Sequence, residues 1–165
     1  MNVSGIEVSP SACTAAEQRL EEFKDITTQV VCGNFCDRPL PFDASFLDLV
    51  VDRGAVTHNV LSDIRGILAE SYRALKRGGL VFSIHLFSDR DSRFGRGREV
   101  ERNTYAEIGG YSFKDVPIVH FTNLREVEEL YADFELVVVE EQTIRRPYHP
   151  EEEEAAHFTI VARKP

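Results

Sequence analysis

The stretch Phe-Leu-Asp-Leu-Val-Val-Asp at residues 46 to 52, followed at once by Arg53-Gly54, decides how the chain is read. Five of its seven residues are apolar with no helical spacing, and it ends on a carboxylate and a glycine. Such a run reads as a parallel strand buried on both faces, with polar residues delivered to its carboxyl end. Ligands of open α/β sheets bind outside that end, which makes Asp52, Arg53, Gly54 and the nearby His58 and Asn59 candidates for chemistry.

Moving outward, Ser62 or Asp63 is placed to open a helix in which Ile64, Ile67, Leu68, Tyr72 and Leu75 share a face, with Gly78-Gly79 to stop it. Leu80 to Phe87 is a second buried strand. On the amino-terminal side, Val3 to Val8 is a strand that runs into Ser9-Pro10, a cap and a first-turn proline. The helix that follows has Ala12, Ala15, Ala16, Leu20 and Phe23 at spacings of three and four. Gln29 to Gly33 is another short strand, closed off by Pro39 and Pro41, which lack the ladder donor. Strand, helix, strand, then strand, helix, strand, is the alternation of an open α/β sheet in one domain covering residues 1–165.

Residues 88 to 118 lose this periodicity and read as a loop-rich insertion at the functional edge. Asn123 caps a short helix, with Glu126 spaced for a capping box and Val127, Leu130, Tyr131 and Phe134 as the apolar face. Glu135 to Ile144 and His157 to Arg163 are two strands too close in sequence for a crossover helix, so they pair antiparallel. Glu151 to Glu154 between them reads as a solvated acidic turn.

Composition narrows the function. The 165 residues are 42% hydrophobic and 28% charged, which excludes a disordered or fibrous chain. A formal net charge of -9 repels phosphate polyanions, so nucleic acid is not an expected partner. No apolar run reaches the ~20 residues of a membrane span, and the first residues carry no basic region. Three cysteines, Cys13, Cys32 and Cys36, are too few for a secreted framework, and the expected location is the cytoplasm. Cys32 and Cys36 have no second pair, so no metal site is expected.

Each candidate residue has a plain structural alternative. Glu7, at the end of the first strand, can accept both hydroxyls of a ribose or simply sit at a helix N-terminus. Asn34 and Phe35 after the second strand offer an amide and a ring to a base, or form a turn. Asp52 can line a site or cap a turn, and His58 can act on a substrate or pack. The arginines between Asp89 and Arg102 form either a guanidinium clamp or a solvated charged loop. Gly95-Arg96-Gly97 is no dinucleotide fingerprint, because no third glycine and no strand-to-helix turn accompany it.

Val-Ser-Gly-Ile-Glu-Val-Ser-Pro-Ser-Ala at 3 to 12, Gly-Asn-Phe at 33 to 35, Leu-Pro-Phe-Asp-Ala-Ser-Phe at 40 to 46, Asp-Arg-Gly at 52 to 54 and Leu-Lys-Arg-Gly-Gly-Leu at 75 to 80 together resemble class I S-adenosylmethionine-dependent methyltransferases. Arg-Phe-Gly-Arg-Gly-Arg-Glu-Val-Glu at 93 to 101, His-Phe-Thr at 120 to 122 and Leu-Tyr-Ala-Asp-Phe-Glu at 130 to 135 are similar to small-molecule methyltransferases of the tellurite-resistance type. The resemblance implies a Rossmann-like open sheet, mostly parallel, with an antiparallel C-terminal hairpin. It implies S-adenosylmethionine as cofactor and a small-molecule methyl acceptor. Glu7 would take the ribose hydroxyls, Asn34 and Phe35 would lie by the adenine, and Asp52, Arg53 and Gly54 would line the methionine end. His58 falls where the family contacts substrate and is the candidate catalytic residue. Asn34 stands where the family commonly has an acidic residue.

The family's first strand and its glycine-rich loop belong before Val3, where only Met1 and Asn2 stand. The expectation is either a truncated form or a methyltransferase relic, with impaired cofactor binding, in which the strand carrying Glu7 pairs with the strand ending in Asp52, receives a strand from another chain, or remains poorly paired at an exposed edge. The alternative function is a non-catalytic module that self-associates, as a homodimer, through the incomplete sheet. A nicotinamide-dependent oxidoreductase shares the ribose carboxylate but needs the glycine fingerprint that is missing.

Overall fold

The computed structural model describes residues 1–109, 116–145 and 154–165. They fall into two compact units, Met1–Pro41 and Phe42–Pro165.

In the first unit, β1 (Asn2–Glu7) and β2 (Thr27–Cys32) pair in parallel around α1 (Pro10–Leu20), with Glu7 opposite Cys32. Ser9 caps α1 as its sequence requires: its hydroxyl accepts the amide of Ala12 at 3.4 Å, and Pro10 opens the helix. The expected apolar face is corrected. Cys13 is the buried residue of α1, Ala12 and Ala15 are exposed, and Phe23 lies past the helix end at 57% exposure. Alanines spaced by three or four carry too little apolar area to fix which face turns inward.

In the second unit, a four-stranded sheet has the order β3-β4-β9-β8, built from β3 (Leu47–Arg53), β4 (Leu75–Phe87), β9 (Ala155–Arg163) and β8 (Glu135–Ile144). β3 runs parallel to β4, whereas β9 is antiparallel to both β4 and β8, which gives the expected C-terminal antiparallel pair. The reading of β3 as buried on both faces is overturned. It is an edge strand with Leu49 and Val51 at 50% and 57% exposure. A strand is buried by its neighbours as well as by its composition, and here the buried centre is β4 and β9, through Val81, Leu86, Phe158 and Ile160.

The helix α2 (Leu61–Ala74) covers the sheet with Ile64, Ile67 and Leu68 buried. Two boundary expectations change. Its cap position is Val60 rather than Ser62 or Asp63, and it ends at Ala74, four residues before Gly78. The early stop is held by Lys164, whose ammonium donates to the carbonyls of Tyr72 and Leu75 at 2.7 and 2.8 Å and so places a cation on the helix C-terminus. α3 (Leu124–Leu130) is capped by Asn123, whose side chain accepts the amide of Glu126 at 3.1 Å. The reciprocal half of the capping box is replaced, because the Glu126 carboxylate turns to His120 instead.

The insertion has more order than its sequence suggested. β5 (Arg98–Glu101), β6 (Thr104–Ala106) and β7 (Val119–His120) form a small antiparallel sheet. Glu101 faces Thr104 across a two-residue turn in which Asn103 has φ 62°. Gly97 is required just before β5: at φ 80° an added Cβ would stand 2.3 Å from the carbonyl oxygen of Ala106. Tyr105, Val119 and Phe121 make the sheet's own core, with Phe87 packed against it. Residues 110–115 of the insertion and 146–153, which include Glu151 to Glu153 of the acidic turn, lie outside the described residues. Among the described residues no helix is long and apolar enough to cross a membrane.

Candidate functional site

In the first unit, parallel pairing brings the ends of β1 and β2 to one edge, where the amide of Gly33 donates to the carbonyl of Glu7 at 2.8 Å. Glu7 therefore stands beside Gly33-Asn34-Phe35. Its Oε1 accepts the amide of Ser9 at 2.7 Å, which fixes the carboxylate at the mouth of α1, and Oε2 has no protein partner among the described residues. Asn34 uses its side-chain oxygen to accept the amide of Cys36 at 2.9 Å, leaving its NH₂ outward on an exposed residue. Phe35 is half-buried beside it. Cys13, below this edge, donates to the carbonyl of Glu7 at 3.3 Å. A hydrogen bond with Cys32, burial and the Glu7 charge push its thiol up to about 11.

In the second unit, β3 and β4 deliver their carboxyl ends together, with Asp52 opposite Ser83 and Arg53 opposite Ile84. Asp52 is buried. Its Oδ1 accepts the amides of Ala55 and Val56 at 2.9 and 3.1 Å, so it caps the 3₁₀ turn Val56–His58, while Oδ2 is buried with no hydrogen-bond partner among the described residues. Burial raises its carboxyl above the ordinary range, and the two amides and His58 only partly offset this. Arg53 is exposed. Gly54 has φ 73°, which sends the chain from β3 into the turn past the backbone of His85.

That turn carries His58. Its Nδ1 lies 3.1 Å from the carbonyl oxygen of Ile118, and its ring meets the edge of Phe87 at 5.9 Å between centroids. A carbonyl oxygen only accepts, so in the neutral imidazole the proton sits on Nδ1 and the lone pair on Nε2. Asp52, Gly54 and His58 are thus brought to one edge together with the end of β4.

Several polar groups at this edge were not singled out from sequence. Tyr131, fully buried, donates to the hydroxyl of Ser83 at 2.7 Å, and burial, countered in part by that bond, pushes its phenol well up. A buried tyrosine needs a partner for its hydroxyl, which was the signal available at Leu-Tyr-Ala-Asp-Phe. His120, also buried, bonds Thr104 through Nδ1 at 2.7 Å and Glu126 through Nε2 at 3.0 Å. Thr57, next to His58, donates to the carbonyl of His120 at 2.7 Å. Burial works to raise the Glu126 carboxyl, but His120, Thr122 and Arg102 together outweigh it and hold it low.

Most of the arginine segment is solvent-exposed, as a solvated charged loop would be, with Arg90, Arg96, Arg98 and Arg102 on the surface, but Arg93 departs from that reading. Arg93 is buried, forks onto both oxygens of Asp91 at 2.6 Å, and lies over the Phe87 ring at 5.5 Å. Asp91 also accepts the amide of Ala156, which ties the start of the insertion to β9. Arg98 pairs with Glu107 and Arg90 with Glu141. Among the described residues no cluster of three or more His, Cys, Asp or Glu is placed to hold a metal.

A family model described as "Methyltransferase domain" matches residues 1–83 of the chain. The chain belongs to this methyltransferase family. Solved structures agree on the fold. An S-adenosylmethionine-dependent methyltransferase from Methanosarcina mazei superposes with a TM-score of 0.76 at 18% identity, over 99% of this chain and 82% of that one. TehB from Haemophilus influenzae gives 0.66 at 14% identity, over 99% and 50%. The 1,6-didemethyltoxoflavin-N1-methyltransferase of Burkholderia thailandensis, solved with 1,6-didemethyltoxoflavin and S-adenosylhomocysteine, gives 0.62 at 17% identity, over 99% and 70%. No curated protein matches the sequence. The methyltransferase domain thus has a Rossmann-like α/β fold with C-terminal antiparallel strands.

Proposed function

We propose that the chain transfers a methyl group from S-adenosylmethionine to a small protic molecule, with His58 as the base. The observation that carries this is the contact of His58 with Ile118: a carbonyl against Nδ1 favours the neutral tautomer with its lone pair on Nε2, on a residue in the turn that follows β3. Bound S-adenosylmethionine supplies a sulfonium methyl that is ready for displacement. His58 removes the proton that an O–H, N–H or S–H acceptor loses as its heavy atom forms the new bond to carbon. Most of the remaining barrier is alignment, worth roughly 7 to 11 kcal/mol where reactants are held in line.

Each unit, taken by itself, offers groups of the kind that cofactor needs. In the first unit, Glu7 has an oxygen for the ribose hydroxyls, with the Asn34 amide and the Phe35 ring beside it for the adenine. In the second, the Asp52 Oδ2, buried without a partner among the described residues, is an unmet demand for a donor of the kind an α-ammonium group provides, and Arg53 and Gly54 follow it. Micromolar affinity needs about 8 kcal/mol, and one charged hydrogen bond contributes about 1.5 to 3, so Glu7 does not hold the cofactor by itself. Calorimetric titration with S-adenosylmethionine and S-adenosylhomocysteine is the test. Micromolar binding that Glu7→Ala weakens at least tenfold is expected, and no heat up to millimolar ligand would end the proposal.

One observation favours a second reading, self-association. β3 is an edge strand whose Leu49 and Val51, two residues apart on one face, are both about half exposed, apolar surface that a second copy of the same strand would cover. Sedimentation should then show a dimer that Val51→Lys dissociates; a monomer at high micromolar concentration would rule this out.

A further inference from the structure

The register of β4 breaks at one residue. Ile84 pairs with Thr159 and Leu86 with Phe158, so His85 is the extra residue of a bulge, with no partner opposite it. Its φ is 65°, a left-handed conformation within the strand, two residues before its end. Non-glycine residues are uncommon there, and although histidine enters that region more often than most, a glycine would sit there at lower cost. Ser83 and Leu86 on either side are buried, whereas His85 is exposed.

The bulge aims His85 at a defined place. Its backbone and Cβ pass the open side of Gly54, 3.8 Å from where a Cβ at that glycine would be, at the carboxyl end of β3. Its ring packs against that of His157, with centroids 4.4 Å apart and the ring planes tilted by 49°. His157 is buried at the start of β9, next to Asp91, so the inner imidazole is fixed and the outer one faces solvent. Costly backbone geometry persists where the surroundings over-determine it and concentrates where a side chain must meet a ligand. The edge at the end of β3 and β4 is where this fold takes ligands.

We propose that His85 contacts the methyl acceptor directly, as a second imidazole of the acceptor site, and that the fold keeps it in the left-handed bulge at a cost in stability. This rests on the methyl-transfer reading of the same edge. His157 is the positioning residue: its ring backs His85 and sets the direction of the outer imidazole.

The test compares the whole chain with His85→Gly and His85→Asn in two measurements. In thermal unfolding, His85→Gly is expected to melt about 2 to 4 °C above the wild type, because glycine adopts φ 65° freely. A lower melting temperature in both variants would show that the imidazole is there to pack on His157 and would overturn the proposal. In the second measurement, S-adenosylmethionine labelled in its methyl group is incubated with a polar small-molecule extract, and labelled products are separated and counted. The wild type is expected to label a product that His85→Gly reduces at least tenfold, with His85→Asn intermediate and cofactor affinity unchanged in both. Labelling by His85→Gly at the wild-type level would overturn the His85 assignment alone. A wild type that labels nothing would overturn the methyl-transfer reading and this assignment with it.

Discussion

His58 and Ile118 are joined by a bond of 3.1 Å from ring nitrogen to carbonyl oxygen, across 60 residues of sequence. The insertion, far along the chain, therefore decides which nitrogen of the candidate base carries the proton. His58→Gln keeps a side-chain NH₂ able to donate to Ile118 but has no lone pair on nitrogen to offer. Turnover should fall about 10²- to 10⁴-fold, the usual contribution of a general base, while S-adenosylhomocysteine affinity stays within twofold. Equal loss of affinity and turnover would instead mark His58 as a packing residue.

Asp52 gives opposite signs for two substitutions. Its carboxyl is raised by burial, so the folded chain holds that proton to higher pH than the unfolded chain. The stabilisation is complete below the unfolded value and is lost as pH rises through the folded one, leaving a strained charge at neutral pH. Asp52→Asn keeps an oxygen for the amides of Ala55 and Val56 without the charge, so its melting temperature relative to wild type should improve between pH 4 and pH 7. Asp52→Ala removes the cap and should cost about 1 kcal/mol, or roughly 2 to 4 °C. If the carboxylate also serves the cofactor, Asp52→Asn weakens S-adenosylmethionine binding about 10- to 100-fold, as loss of one charged hydrogen bond does. Identical pH profiles for wild type and Asp52→Asn would refute the first part.

The buried pair of Arg93 and Asp91 holds the insertion to β9. Arg93→Ala would leave a buried carboxylate with only backbone amides, those of Arg93 itself and of Ala156, to meet its charge. Removing one partner of such a pair costs about 3 to 5 kcal/mol, on the order of 10 °C in a chain of this length. Arg93→Ala combined with Asp91→Ala should recover part of that loss. A single variant as stable as wild type would mean that the pair is far better solvated than its burial indicates.

The sequence made some of this legible and hid the rest, for identifiable reasons. Ser9-Pro10, Asn123 and the two closing strands carry their signals locally, in cap chemistry and in alternation, and the structure follows them. The exposure of Leu49 and Val51 was not legible, because burial of an apolar strand depends on which strand lies beside it. Nor was the end of α2, which is set by Lys164, 90 residues downstream of Ala74. The Asn103 turn was legible in principle, since asparagine between two short β-prone runs is a hairpin signal. At the site, the candidate residues on each strand end could be named from order along the chain. Their partners could not, because Ile118, Ser83 and His157 reach them only through the tertiary fold.

His157 supplies the last prediction, a pH dependence. Burial first, and the neighbouring His85 second, lower its imidazole below the ordinary histidine range, with Asp91 opposing them. Asp91 is largely committed to Arg93, and the residues opposite in the sheet, Phe87 and Gln142, bring no charge. The folded state therefore binds this proton more weakly than the unfolded state. Its stabilisation is present above the unfolded value of about 6.5 and is lost as pH falls through the lower folded value. Melting temperature should decline from pH 7 towards pH 5 in the wild type, and His157→Gln should flatten part of that decline. His85→Asn should flatten less, because it removes a like charge from beside His157 but leaves the burial in place. Parallel curves for wild type and His157→Gln across this range would show that the buried ring takes up its proton without cost, contrary to its place beneath His85.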